Sequence, residues 1–119
     1  VKKERPWGWY KTIERGEGHK VKKIHVYSGQ RFSLQFHRKR EEHWVIIDGS
    51  GVVTLGDHDY PANPGSCFTV SIEQRHRVAA GEEGLTFIEV QRGECSETDI
   101  VRLEDDYGRH VPSFLEMLT

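Results

Sequence analysis

The stretch GQRFSLQFHRKREEHWVIIDG, residues 29–49, carries the reading that decides the fold. Within it residues 31–37 alternate, with Phe32, Leu34 and Phe36 on one face and Ser33, Gln35 and His37 on the other, which is the period of a β-strand. Side chains two apart on a strand point the same way, so Gln35 and His37 are delivered together. After four intervening residues Glu42 opens a second run, 42–48, that ends at Gly49. A divalent metal held by strands needs nitrogen and oxygen donors converging from neighbouring chain segments. Gln35, His37 and Glu42 supply an amide, an imidazole and a carboxylate, and His76, at the head of a later run, can close the set. Such donors suit zinc first, with manganese, iron, cobalt and nickel also compatible. The competing reading is a half-buried sheet with exposed polar residues. The spacing of Glu42 and His76 turns the balance toward a metal site.

Outward from this stretch the chain is cut into short runs by Gly, Pro, Asn and Asp. Strands are expected at 21–27, 31–37, 42–48, 52–55, 67–70, 76–80, 85–91 and 100–103. Turns are expected at Gly49-Ser50-Gly51, at residues 56–59 and at residues 61–65. Residues 76–80 and 85–91 are expected to pair across Gly81–Gly84. Only Pro112–Leu118 reads as helix, with Phe114, Leu115 and Leu118 on one face. Evenly spaced strands favour a sandwich or a closed barrel.

Composition excludes several classes. A chain of 119 residues fits one domain. Three Trp and five Phe argue against disorder. No apolar run approaches the roughly 20 residues that span a bilayer. Residues 1–20 are charged and aromatic, unlike a secretory leader, so a cytoplasmic location without membrane contact is expected. A formal net charge of −2 offers no global attraction for nucleic acid. Lys22-Lys23 and Arg38-Lys39-Arg40 read either as solvated edges or as attractors of a small anion. Cys67 and Cys95 are too few for a disulfide scaffold and read as reduced thiols.

Gly29-x5-Gln35-x-His37-x4-Glu42-x6-Gly49 resembles the first cupin motif, with Gln in place of its first His. A second cupin motif is matched at Gly65 and His76 and departs at Ser71, Glu73 and Ala80, where Pro, Gly and Asn are usual. The resemblance extends to Arg5-Pro6-Trp7-Gly8, Arg40-Glu41-Glu42-His43-Trp44, Ile88-Glu89-Val90-Gln91 and Tyr107-Gly108-Arg109. In this order these segments, covering roughly residues 5–109, look like the type II mannose-6-phosphate isomerase domain, usually the C-terminal part of a bifunctional mannose-1-phosphate guanylyltransferase. The resemblance implies an all-β cupin-type jelly-roll barrel over about 19–103, with an N-terminal arm over about 1–18 and a tail with a short helix over about 104–119. It implies the isomerase domain without its guanylyltransferase half.

The reaction so implied interconverts mannose 6-phosphate and fructose 6-phosphate through an enediol. Glu89 and Gln91, two apart on a late strand, can both face the metal. Glu89 is the candidate base and Gln91 a substrate contact, although a buried, charge-paired Glu89 is an equal alternative. Lys22, Arg40 and Arg109 lie in family-like segments and are the candidates for the sugar phosphate. Trp7 and Trp44 are expected to fill the core. His43 should point away from the metal, and His19, His25, His58 and His110 read as surface residues. A homodimer is expected. Two other readings remain open, a non-catalytic cupin that binds a sugar or small anion, and a metal-dependent dioxygenase.

Overall fold

The computed structural model describes residues 1–109. Nine strands account for its regular structure: β1 (Lys3–Arg5), β2 (Gly8–Gly16), β3 (His19–Val26), β4 (Leu34–Phe36), β5 (Arg40–Leu55), β6 (His58–Ala62), β7 (Cys67–Val70), β8 (His76–Gly93) and β9 (Val101–Glu104). The all-β expectation holds, and no helix occurs among the described residues; the helix expected at 112–118 lies outside them. Two long strands, β5 and β8, run antiparallel along their whole length and form the spine. The C-terminal part of β8 carries β3 on its other edge, followed by β2 and β1, while β4 and β9 join beside His76. β6 and β7 extend the sheet from β5. All pairings are antiparallel and curve into a half-barrel whose ladder does not close among the described residues.

Two expected turns are absent. Gly49-Ser50-Gly51 does not end a strand but bends β5, where the register against β8 shifts between Ile46 and Asp48 and again between Gly49 and Gly51. A side chain on Gly51 would run into the Ala79 carbonyl, and one on Gly49, at φ 78°, into the Gly84 carbonyl. These glycines let two bent strands approach; they are bulge positions rather than a hairpin. For the same reason residues 76–80 and 85–91 do not pair with each other across Gly81–Gly84. They are one strand, and each part pairs with β5. Residues read as an N-terminal arm carry β1 and β2, the latter paired with β3 from Gly8 to Gly16.

Period-two burial builds the interior. On β3 the buried positions are Lys20, Lys22, Ile24 and Val26; on β5, Arg40, Glu42, Trp44 and Ile46, with Val53 beyond the bend. On β8 the alternating set Leu85, Phe87, Glu89 and Gln91 is joined by Gly84 and Thr86 and, at the strand's start, by His76, Arg77 and Val78. Each strand therefore presents an inner face that is apolar at one end and charged or amide-bearing at the other. Antiparallel register aligns the polar ends, setting Lys22 against Glu89 and Glu42 against Gln91. The dry end is anchored by Trp44, whose ring lies 4.9 Å from Phe87 and meets Phe32 edge-on at 6.4 Å. Trp7 and Trp44 are both buried there, as expected of core residues. Cys67 and Cys95 are free thiols.

Candidate metal centre

His37, Glu42 and His76 converge at the polar end, with one donor atom from each lying within 4.8 Å of the others, and all three are buried. Their positions follow from the strands. Glu42 points inward from β5, His76 opens β8, and His37 immediately follows β4, whose Gln35 pairs in register with His76. His37 Nε2 lies 3.3 Å from Glu42 Oε2, and His76 Nε2 lies 4.0 Å from Glu42 Oε1.

Loops fix both imidazoles. His37 Nδ1 donates to the Asp99 carbonyl at 2.6 Å, and His76 Nδ1 donates to the Gln74 carbonyl at 2.9 Å. Each ring therefore turns an unprotonated Nε2 toward Glu42, the orientation that metal-ligating histidines take when a carbonyl holds the other nitrogen. Burial holds both pKa values down to about 4, so both rings are neutral near pH 7. A carboxylate with two unprotonated imidazole nitrogens is a donor set that could hold a divalent ion, which would take the place of the Arg40 contact to His37 Nε2. Gln35 stands beside it: its amide nitrogen is 3.5 Å from His76 Nε2, and its Oε1 accepts from the Ser33 hydroxyl at 2.8 Å.

The expected alternation along residues 31–37 is broken by a register shift between Leu34 and Gln35 against β9. In consequence Phe32 shares the cavity wall with Gln35 and His37 instead of facing away. His43 does point away, toward Thr69 and Glu41.

The remaining sequence candidates lie around the same cavity, of about 160 Å³. That is space for a small molecule: an apolar cavity of about 150 Å³ admits benzene. Glu89 and Gln91 line it, and the Gln91 amide donates to Glu89 Oε1 at 2.6 Å while its own Oε1 is buried without a partner. Burial, and then the neighbouring Glu42 carboxylate, push the Glu89 pKa up to about 7. Glu42 is instead supplied with donors, Arg40 Nε at 2.9 Å and Trp44 Nε1 at 3.1 Å.

Arg40 and Lys22, candidates for the sugar phosphate, line the cavity but are buried and already paired. Arg40 also donates to the Ser96 carbonyl at 3.0 Å and to His37 Nε2 at 3.2 Å. Lys22 holds Glu97 at 2.6 Å, a carboxylate it shares with Lys20 at 3.1 Å. Arg109 does lie on the cavity wall, where it clasps Asp105 through Nε at 2.7 Å. Sequence reading missed Glu97, Arg5 and Arg102 as cavity residues. Arg5 lay inside a quoted segment, but only the register of β9 against β4 shows where Arg102 stands.

The half-barrel and its buried His-Glu-His group define a protein of the cupin class. Solved structures agree on the fold: KdgF from Halomonas sp. superposes with a TM-score of 0.75 at 14% identity, over 80% of this chain and 89% of that one. A cupin-2 domain protein from Rhodospirillum rubrum superposes with a TM-score of 0.70 at 18% identity, over 83% of this chain and 76% of that one.

The chain belongs to the family described as mannose-6-phosphate isomerase C-terminal, whose profile matches residues 1–105. The alginate biosynthesis protein AlgA of Pseudomonas aeruginosa is 40% identical over 116 residues, 96% of this chain and 24% of that protein. The mannose-1-phosphate guanylyltransferase ManC of Salmonella typhimurium is 37% identical over 107 residues, 88% of this chain and 22% of that protein. The chain thus spans about a quarter of the length of these relatives.

Proposed function

We propose that this domain is a metal-dependent aldose–ketose isomerase that interconverts mannose 6-phosphate and fructose 6-phosphate. The observation that carries the reading is the placement of Glu89, a carboxyl held by Gln91, in one small cavity with His37, Glu42 and Gln35. Membership of the isomerase family supports the choice of sugar.

His37, Glu42 and His76 would hold the ion, and Gln35 would be a fourth ligand once its amide turns its oxygen from the Ser33 hydroxyl toward His76. Zinc is the first candidate, followed by manganese, iron, cobalt and nickel. When bound, such an ion polarises a carbonyl and stabilises charge developing on its oxygen. Glu89 takes a proton from one of the two carbons C1 and C2 and returns it to the other. Gln91 fixes the carboxylate for that transfer, and Trp44 and Phe32 wall the cavity against bulk water. The domain would act in the cytoplasm, as a homodimer, on a phosphorylated sugar, without nucleic acid or membrane partners. Among the described residues no helix is long and apolar enough to cross a membrane.

The test is NMR of mannose 6-phosphate incubated with metal-reconstituted protein, beside a His37→Ala control. Fructose 6-phosphate formed only by the intact site is the expected result. No turnover with any divalent metal, despite stoichiometric metal binding, would overturn the isomerase and leave a sugar- or anion-binding module.

A further inference from the structure

Three arginines meet on one side of the cavity. Arg5 ends β1, Arg102 lies on β9 in register with Gln35, and Arg109 follows the last described turn; all three line the cavity. Their charges are poorly matched. Arg109 is neutralised by Asp105, bound through both guanidinium and backbone. Among the described residues Arg5 donates only to neutral oxygens, the Glu4 carbonyl at 2.7 Å and the Tyr10 hydroxyl at 3.2 Å. Arg102 Nε is buried and has no hydrogen-bond partner among the described residues. Burial, then the charges of Arg109 and Arg5, lower the Arg102 pKa, which marks a guanidinium held among like charges. Among the described residues three cations against one carboxylate leave two positive charges at the cavity wall, one on the half-buried Arg102 and one on the exposed Arg5, an arrangement that an entering dianion would relieve.

Other cations near the cavity are committed elsewhere. Lys20 and Lys22 share Glu97, and Arg40 is tied to Glu42, His37 and the Ser96 carbonyl. Among the described residues Arg102 is thus a guanidinium with donors to spare, and its place across from Gln35 puts it one strand from the candidate metal ligands.

We propose that Arg102, flanked by Arg5, is the anchor for a phosphate dianion, so that a sugar phosphate lies with its phosphate on β9 and its reacting carbons toward Glu89. The anion site stands on the arginine geometry alone; the identity of the sugar rests on the isomerase reading. A guanidinium suits the role because its planar fork can donate two parallel hydrogen bonds to phosphate oxygens, which a lysine ammonium cannot.

The test is calorimetric titration of wild type, Arg102→Gln, Arg102→Lys and Arg5→Gln with inorganic phosphate and with mannose 6-phosphate, with melting temperature as the fold control. Arg102→Gln should weaken both ligands by tenfold or more, Arg102→Lys should restore only part, and unphosphorylated mannose should bind equally to all four. Unchanged phosphate affinity in a folded Arg102→Gln protein overturns the inference. Should that variant not fold, unchanged affinity in Arg5→Gln overturns it instead. If wild type turns over mannose 6-phosphate but Arg102→Gln keeps its KM, the anchor is wrong and the isomerase stands. If phosphate binding depends on Arg102 while wild type never turns over, the anchor stands and the isomerase falls.

Discussion

His37 Nδ1 donates to the backbone carbonyl of Asp99 at 2.6 Å, across 62 residues of chain. The same Asp99 accepts through its side chain from the backbone N–H groups of Arg38 and Lys39, at 3.0 and 2.9 Å. One loop residue therefore clamps the segment after β4 and aims its imidazole. Asp99→Ala should free the clamp and weaken divalent metal binding about tenfold, the lower end of what lost ligand-orienting partners cost. Competition against a chromophoric chelator measures this. Wild-type affinity in the variant would show that the clamp does not set the ring.

Glu42 is buried between Arg40 Nε and Trp44 Nε1. Glu42→Ala should abolish stoichiometric metal binding and also destabilise the metal-free protein by about 3–5 kcal/mol, because the Arg40 charge is left without its carboxylate. Trp44→Phe keeps a six-membered aromatic ring but loses the indole donor and some packing volume, and because it strands no charge it should cost less, about 1–3 kcal/mol. Urea unfolding of the metal-free proteins ranks the two. A Trp44→Phe loss as large as that of Glu42→Ala would mean that packing, not charge, dominates this corner.

Glu73 has a φ of 64°, the only non-glycine residue among those described with a positive φ. Cupin sequences usually carry Gly at this position, so the chain keeps the backbone shape without the residue that adopts it freely. A left-handed conformation costs an L-residue about 1–2 kcal/mol, and glycine gives back roughly 0.5–1 kcal/mol through its greater unfolded-state freedom. Glu73→Gly should therefore stabilise the domain by about 0.5–1 kcal/mol and raise its melting temperature by a few degrees. The backbone N–H of residue 73 would still donate to the His37 carbonyl, a bond of 2.7 Å, so metal affinity should hold. A lower melting temperature would mean that the Glu73 side chain has a stabilising contact of its own.

The interior was more legible than its connections. Gln35, His37, Glu42 and His76 could be brought together on paper because two of them share a strand and the others follow at fixed spacing. Glu89 and Gln91, two apart on one strand, were read as facing the metal together, whereas the buried Lys20, Lys22 and Arg40 keep step with the apolar positions of their own strands without having been read as inward-facing. The burial of Arg40 and Lys22 was not legible, because alternation gives the face of a residue but not its depth. Depth is set by pairing, and pairing was misread where Gly49, Gly51 and Gly84 were taken for turns. A glycine that admits a neighbouring carbonyl and a glycine that reverses the chain look alike in sequence. Glu97 was missed because it lies in a loop without period, and its role exists only through the lysines of β3.

That loop carboxylate supplies a pH dependence with a definite sign. Glu97 bridges the buried Lys20 and Lys22 ammoniums at 3.1 and 2.6 Å. Burial opposes its ionisation, but hydrogen bonds and charge from Lys22 and then Lys20 outweigh it and hold the pKa down to about 2, below the ordinary 4.5. The unfolded chain therefore binds this proton more readily than the folded one between those two values, and stability rises with pH across that window. The contribution is complete above about pH 4.5 and is lost as pH falls toward 2. Because the Glu97 side chain is 49% exposed, solvent screening limits its effect to about 1 kcal/mol. Glu97→Gln should lower stability at pH 7 and bring its melting curve closer to wild type as pH is stepped from 5 to about 3, around and below the ordinary carboxyl value. The histidines and other carboxylates titrate in both proteins, so the difference between the two curves isolates this residue. A difference that stays constant over that range would show that the bridge does not tie the loop to β3.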